Sequence, residues 1–311
     1  MAASNSARHE KDSRSRIGEI LNKRYRIESI IGSGGQGVVY RALDLTDGEA
    51  VAIKILRDEI AADPDWRERM FREARAMASL FGSAAVRVLD QGWTADQALY
   101  LVMELLNGHD FETALANVER NGQKPDALQV LEIIRPIVDT LERAHAHGIV
   151  HRDIKPANVF LLHGGGVRLL DFGFAKFTRL PGLTVAGFIA GSPSYIAPEV
   201  WLRGGNQIDQ RVDVYSLAAV VFRALAGTPP FTGDGLGAIY KAVTTAPRPK
   251  LTAFRPELPA KLDSWLEQGL AIDPDTRFGS VRALLNALSL SLDVAPPQTQ
   301  RIGPWGTPGR S

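Results

Sequence analysis

The run His151-Arg152-Asp153-Ile154-Lys155-Pro156-Ala157-Asn158 places a carboxylate, an ammonium and a carboxamide within a few residues of one another. Such a set can take up a proton, neutralise developing charge and offer oxygen to a hard cation. Asp171, in Asp171-Phe172-Gly173, supplies a second carboxylate after an apolar stretch. Gly32, Gly34 and Gly37 form G-x-G-x-x-G, and glycines so spaced let backbone amides approach phosphates closely. Lys54 closes the apolar triplet Val51-Ala52-Ile53. Singly, these features decide little. With 29 glycines in 311 residues, the glycine pattern is expected roughly 0.25 times by chance. An Asp or Asn after an apolar strand is often a turn former.

The elements around these residues follow from periodicity. Tyr25–Ile31, Val38–Leu45 and Ala50–Leu56 are rich in β-branched and aromatic residues and are separated by Gly-rich or Thr-Asp-Gly turns, which predicts three antiparallel strands. Because Val38-Val39-Tyr40 continues as strand, the glycines lie in a hairpin, and a Rossmann reading, which needs a helix there, fails. No G-x-x-x-x-G-K-[ST] is present. Asp63-Pro64 reads as the start of a helix running to about Leu80. Leu99–Leu105 is a further strand. From Ala127 to His147, apolar residues recur at three- and four-residue spacing, and Gly148 supplies the stop. Val159–Leu162 and Val167–Leu170 are short strands flanking a glycine turn. Later helices are expected near Asp213–Ala226, Leu236–Val243, Leu258–Leu270 and Ser280–Leu290. A small strand-rich part therefore precedes a larger helical part.

Composition narrows the function classes. A net charge of +1 gives no bulk attraction to nucleic acid or anionic membrane. Zero cysteines exclude disulfides, a thiolate nucleophile and Cys-ligated zinc, and suit a reducing cytoplasm. No apolar run approaches the ~20 residues of a membrane span. The best run, Val214 to Leu225, is cut by Arg223 and reads as a buried globular helix. The charged N-terminus lacks the apolar stretch of a signal peptide.

The order of the motifs carries the reading. Glycine loop, Val51-Ala52-Ile53-Lys54, the 151–158 run, Asp171-Phe172-Gly173 and Ala197-Pro198-Glu199 follow one another at the spacing of the protein-kinase signature set. The five fixed positions of the 151–158 run alone would occur by chance in about one such chain in ten thousand. Over about residues 20–290 the chain resembles the eukaryotic-like (Hanks-type) protein serine/threonine kinases, most closely the bacterial ones. The resemblance implies an α+β, two-lobed fold: a small strand-rich N-lobe with one main helix, and a larger, mostly helical C-lobe. It divides the chain into a disordered leader (1–18), N-lobe (19–106), C-lobe (107–292) and a Pro/Gly-rich flexible tail (293–311). The implied activity is transfer of the γ-phosphoryl group of ATP to Ser/Thr hydroxyls of proteins, with Mg²⁺ as cofactor and Mn²⁺ as its substitute.

The resemblance also assigns roles. Lys54 holds the α- and β-phosphates, paired with Glu73 on the following helix. Asp153 is the base, and Lys155 neutralises charge on the transferred group and separates Ser/Thr from tyrosine kinases. Asn158 and Asp171 hold the metal. His151, Phe172, Glu199, Asp213 and Arg277 are structural: Asp213 anchors the catalytic-loop backbone, and Glu199 pairs with Arg277. Gly32, Gly34 and Gly37 cover the phosphates. Val39 and Ala52 lie above the adenine, Phe160 beneath it in place of the more usual Leu. Met103 is the gatekeeper, Glu104 and Leu106 supply hinge backbone groups, and Asp110 contacts the ribose. Arg152 awaits a phosphorylated residue in the activation segment, Thr184 first and Thr178 second, while Ser192 fills a structural slot. Partners are protein substrates, with homodimerisation through the N-lobe as a family option. Location is cytoplasmic, alone or as part of a longer membrane-anchored protein. The rival readings are a pseudokinase scaffold, which would lack Lys54-, Asp153- or Asp171-type residues, and a small-molecule phosphotransferase, which would lack Ala197-Pro198-Glu199. Nothing in the sequence names the substrate.

Overall fold

A computed structural model of the chain describes residues 15–34, 37–56, 80–172, 193–203 and 208–294. These fall into two compact units, one of residues 15–56 and 86–106, the other of residues 80–85 and 107–294.

In the first unit, β1 (Ile20–Leu21), β2 (Tyr25–Gly34), β3 (Gly37–Asp44), β4 (Ala50–Leu56), β5 (Val88–Trp93) and β6 (Leu99–Glu104) form one antiparallel sheet in the order β1-β2-β3-β4-β6-β5. The three strands expected from Tyr25 to Leu56 are present, β2 longer by three residues and β4 as read. Alternation buries Tyr25, Ile27, Tyr40, Ile53, Tyr100 and Val102 as the core of this unit, each side chain contributing about 1.5–3 kcal/mol on burial. The two margins of the sheet are joined by side chains. The Tyr25 hydroxyl donates to Asp90 Oδ2 at 2.7 Å, so β2 is tied to β5. Arg16, just ahead of β1, pairs with Asp96 in the β5–β6 turn and with Glu19. Residues 15–18, read from sequence as the end of a disordered leader, thus form an anchored turn, with Gly18 N donating to Ile27 O at 2.9 Å.

The second unit has a small sheet, β7 (Gly108–Asp110), β8 (Val159–Leu162) and β9 (Val167–Leu169), and seven helices among the described residues. These are α1 (Phe111–Arg120), α2 (Ala127–Ala146), α3 (Pro198–Arg203), α4 (Arg211–Ala226), α5 (Leu236–Thr245), α6 (Lys261–Gly269) and α7 (Val281–Ser291). Asp126 and Gln129 make a reciprocal capping box that starts α2, and Ser280 caps α7. Every residue of α4 from Val212 to Ala226 is buried, so this helix is the unit's axis. Gly227 ends it in the left-handed conformation. The segment 80–85 belongs to this unit. Ala84 N donates to Thr140 Oγ1 of α2 at 2.9 Å, and Leu169 N of β9 donates to Ala84 O. Strand β5 and helices α1 and α3 were not read from sequence. The helix expected over Asp63–Leu80 lies outside the described residues apart from Leu80.

Candidate active site

The run 151–158 is not helix or strand until Pro156–Asn158, a single 3-10 turn, so its shape depends on side chains. Asp213, at the start of α4 and fully buried, accepts from His151 N (Oδ2, 2.8 Å) and Arg152 N (Oδ1, 2.8 Å). His145 Nε2, from the last turn of α2, lies 2.8 Å from the same Oδ2. Arg152 has φ +63°, a left-handed conformation that a non-glycine residue adopts uncommonly, and the bonds from His151 N and Arg152 N to Asp213 hold it there.

His151 fixes the next step. Its Nε2 is 2.9 Å from Leu170 O and its Nδ1 accepts from Asp153 N at 3.2 Å. Only the neutral tautomer protonated at Nε2 satisfies both. Burial holds this imidazole below its ordinary pKa, against the opposing pull of Asp213 and Asp153, and so maintains the neutral form. The ring also packs on Phe172, centroids 4.6 Å apart. The two nitrogens of His151 thus link the backbone of Asp153 to that of Leu170, the residue before Asp171.

Asp153, 7% exposed, bonds Lys155 Nζ at 3.0 Å through Oδ2. Asn158 Nδ2 donates to Asp153 O at 2.7 Å, and Asn158 O accepts from Leu170 N at 2.8 Å. The carboxamide is thereby oriented with Oδ1 as the remaining acceptor. Asp171 follows with φ +51°. No group of three or more His, Asp or Glu among the described residues would hold a metal by itself. Asn158 and Asp171 offer the oxygen donors that suit a hard divalent cation.

Farther out, Arg277 forks onto Glu199 with both distances 2.7 Å, both side chains buried. Its other N–H groups reach Ala271 O, Arg211 O and Ile272 O. The expected pair is present. Asp110 is the N-cap of α1, accepting from Thr113 N at 2.9 Å and Thr113 Oγ1 at 2.8 Å, a use of this carboxylate that the sequence reading did not include. Phe160 lies on β8, opposite Asp110.

In the first unit, Lys54 is 6% exposed on β4, opposite Val39 of β3 and Leu101 of β6. Ala52 pairs with Met103. The carboxylate of Glu104 accepts from Arg87 N at 2.9 Å. Gly34 pairs with Gly37 across the hairpin. At Gly37 a Cβ would stand 2.1 Å from Ile55 O, so the close approach of β3 to β4 requires glycine. Glu73, Thr178, Thr184 and Ser192 lie outside the described residues, and Leu106 closes the first unit.

The protein kinase domain family matches residues 25–288. The chain belongs to the protein kinase family. Among curated relatives, serine/threonine-protein kinase PknA of Mycobacterium tuberculosis is 34% identical over 301 residues, covering 95% of this chain and 67% of that protein. Serine/threonine-protein kinase PknL of the same organism is 36% identical over 265 residues, covering 85% and 65%. The chain thus spans about two thirds of the length of these relatives. A crystal structure of the M. tuberculosis PknI kinase domain superposes with TM-score 0.71 at 32% identity, covering 89% of this chain and 99% of that one. The fold is the protein kinase fold, and the chain is a protein serine/threonine kinase of the bacterial kind.

His145, the third partner of Asp213, was not among the residues named from the sequence.

Proposed function

We propose that this kinase transfers the γ-phosphoryl group of ATP to protein Ser and Thr hydroxyls with Asp153 as the base. The observation that carries this reading is the Asp153–Lys155 pair at 3.0 Å in a loop whose backbone is bonded on both sides. Phosphoryl transfer asks for positioning and charge stabilisation more than covalent chemistry. Asp153 orients the acceptor hydroxyl and takes its proton. Lys155 offsets charge on the group in flight. Lys54, partnered by Glu73, holds the α- and β-phosphates, and the glycines 32, 34 and 37 place backbone amides over them. Asn158 and Asp171 would hold Mg²⁺, or Mn²⁺ in its place, which would supply positive charge against the phosphates.

Arg152 is proposed to receive the phosphate of an autophosphorylated Thr184, with Thr178 second, since a phosphate adds about −1.5 to −2 charge for an arginine to pair with. A second copy is proposed to dock on the first unit, where Leu45 and Leu89 are exposed. Activity in the cytoplasm completes the proposal. No helix among the described residues is long and apolar enough to cross a membrane.

The test is transfer from labelled ATP·Mg²⁺ to a generic protein acceptor. Wild type should label it and Asp153→Asn should lose that labelling by a factor of about 10³ or more. Wild type that binds nucleotide yet transfers nothing would instead identify a scaffold.

A further inference from the structure

Along α4, whose neighbours are apolar, polar side chains at three positions reach a separate working part of the second unit each. Asp213 holds the backbone of His151 and Arg152. Ser216 Oγ donates to Tyr195 O at 2.7 Å, holding the segment ahead of α3. Arg223 Nε and Nη2 donate to Glu112 Oε1 of α1, at 3.1 and 2.7 Å, and its Nη1 and Nη2 donate to the two oxygens of Glu119. At 100° per residue these three positions fall within an arc of about 80°, one face of the helix.

Arg223 is, with Asp213, one of two charged side chains among the three. Its side chain is 7% exposed in a run where every residue from 212 to 226 is buried. An arginine so placed is tolerated only when its fork is satisfied, and here both of its acceptors come from a single helix. That helix begins at Asp110 and packs against Pro156–Asn158, the turn that ends in Asn158. Glu112 lies two residues beyond Asp110. The fork therefore fixes the rotation and the depth of α1 where its first turn meets the catalytic loop.

We infer that Arg223 is a positioning residue for the nucleotide, acting through Glu112 and Glu119 to set where α1 places Asp110. The inference rests on the kinase reading above and on the ribose contact that the resemblance implies for Asp110. It separates Arg223 from the acceptor side of the reaction: Asp213 and Ser216 serve the loops that act on the acceptor, and Arg223 serves ATP.

The test compares wild type with Arg223→Gln, Glu112→Gln and Asp110→Ala. It reads KM for ATP, KM for the acceptor protein, and the Kd for ATP·Mg²⁺ by calorimetry. Arg223→Gln should raise KM and Kd for ATP about tenfold, with the acceptor KM within about twofold of wild type. Glu112→Gln, at a partly exposed carboxylate, should shift the ATP constants about threefold in the same direction. A folded Arg223→Gln with unchanged ATP constants, or with a rise confined to the acceptor KM, overturns the inference. So does an Asp110→Ala variant that binds ATP as wild type does. If Arg223→Gln does not fold, Glu112→Gln decides by the same criterion. A wild type that binds ATP but transfers nothing would defeat the transfer reading alone, since the Kd comparison still judges Arg223.

Discussion

Asp213 Oδ1 lies 2.8 Å from the amide nitrogen of Arg152, the residue held at φ +63° directly before Asp153. A left-handed non-glycine residue costs about 1–3 kcal/mol, and it persists because a buried carboxylate over-determines it. Asp213→Asn retains one carbonyl acceptor for two backbone donors. The variant should fold and lower kcat about a hundredfold, since small displacements of a base have effects of that size. A kcat within threefold of wild type in steady-state assays would refute this. His145→Ala, which removes the third partner of Asp213, should lower kcat in the same direction and by less.

The Glu199–Arg277 pair makes a contrasting prediction, on stability rather than turnover. Both side chains are buried and the fork is complete, so removing one partner strands a buried charge. Glu199→Gln or Arg277→Met should each destabilise the fold by about 3–5 kcal/mol. Replacing both should cost less than the sum of the two. Urea unfolding of the two single variants and the double variant measures the coupling directly, and simple additivity would contradict it.

The parts of this fold legible in the sequence are those specified locally. β4 and β8 were bounded by β-branched runs and turn glycines, and α2 by its periodicity and Gly148, so chain-neighbour physics sufficed. β5 was not legible because Val88–Trp93 contains Asp90, Gln91 and Gly92, and it becomes strand only by pairing with β6 and bonding Tyr25. α1 was missed for a similar reason: its apolar face is short, and its glutamates make sense only once Arg223 is seen opposite them. In the site, motif order located Asp153, Lys155, Asn158 and Asp171. The motif resemblance also named Asp213 as the anchor of the loop backbone, but not His145, its third partner, because spacing along the chain carries no signal for such a long-range bond.

The hairpin glycines separate into two physical kinds. A Cβ on Gly37 would meet the backbone at Ile55 O, which cannot rotate away, whereas one on Gly34 has nothing within 4 Å. Gly37→Ala should therefore destabilise by about 1–3 kcal/mol and push β3 away from β4 beside Lys54. Gly34→Ala should leave stability within about 0.5 kcal/mol of wild type. Any rise in KM for ATP in Gly34→Ala then reports the loop's approach to phosphate, free of a folding term. Equal loss of stability in both variants, by denaturant titration, would contradict this division.

His151 gives the pH dependence a sign. Burial lowers its folded-state pKa, while the unfolded chain keeps a value of about 6.5. Above that value the imidazole is neutral in both states and contributes no slope. As pH falls through about 6.5, the unfolded state takes up a proton that the folded state refuses, so stability falls with falling pH. The loss continues until the depressed folded pKa is reached, where His151 protonates and both its bonds to Leu170 O and Asp153 N cannot coexist. The five other histidines blur this slope in the wild type, so the informative quantity is a difference. Unfolding free energy measured from pH 7.5 to 5 should fall more steeply for wild type than for His151→Gln, which has no proton to gain. Parallel curves for the two proteins would mean that His151 takes up its proton as readily in the folded state as in the unfolded one, and a neutral tautomer enforced by burial would have to be abandoned.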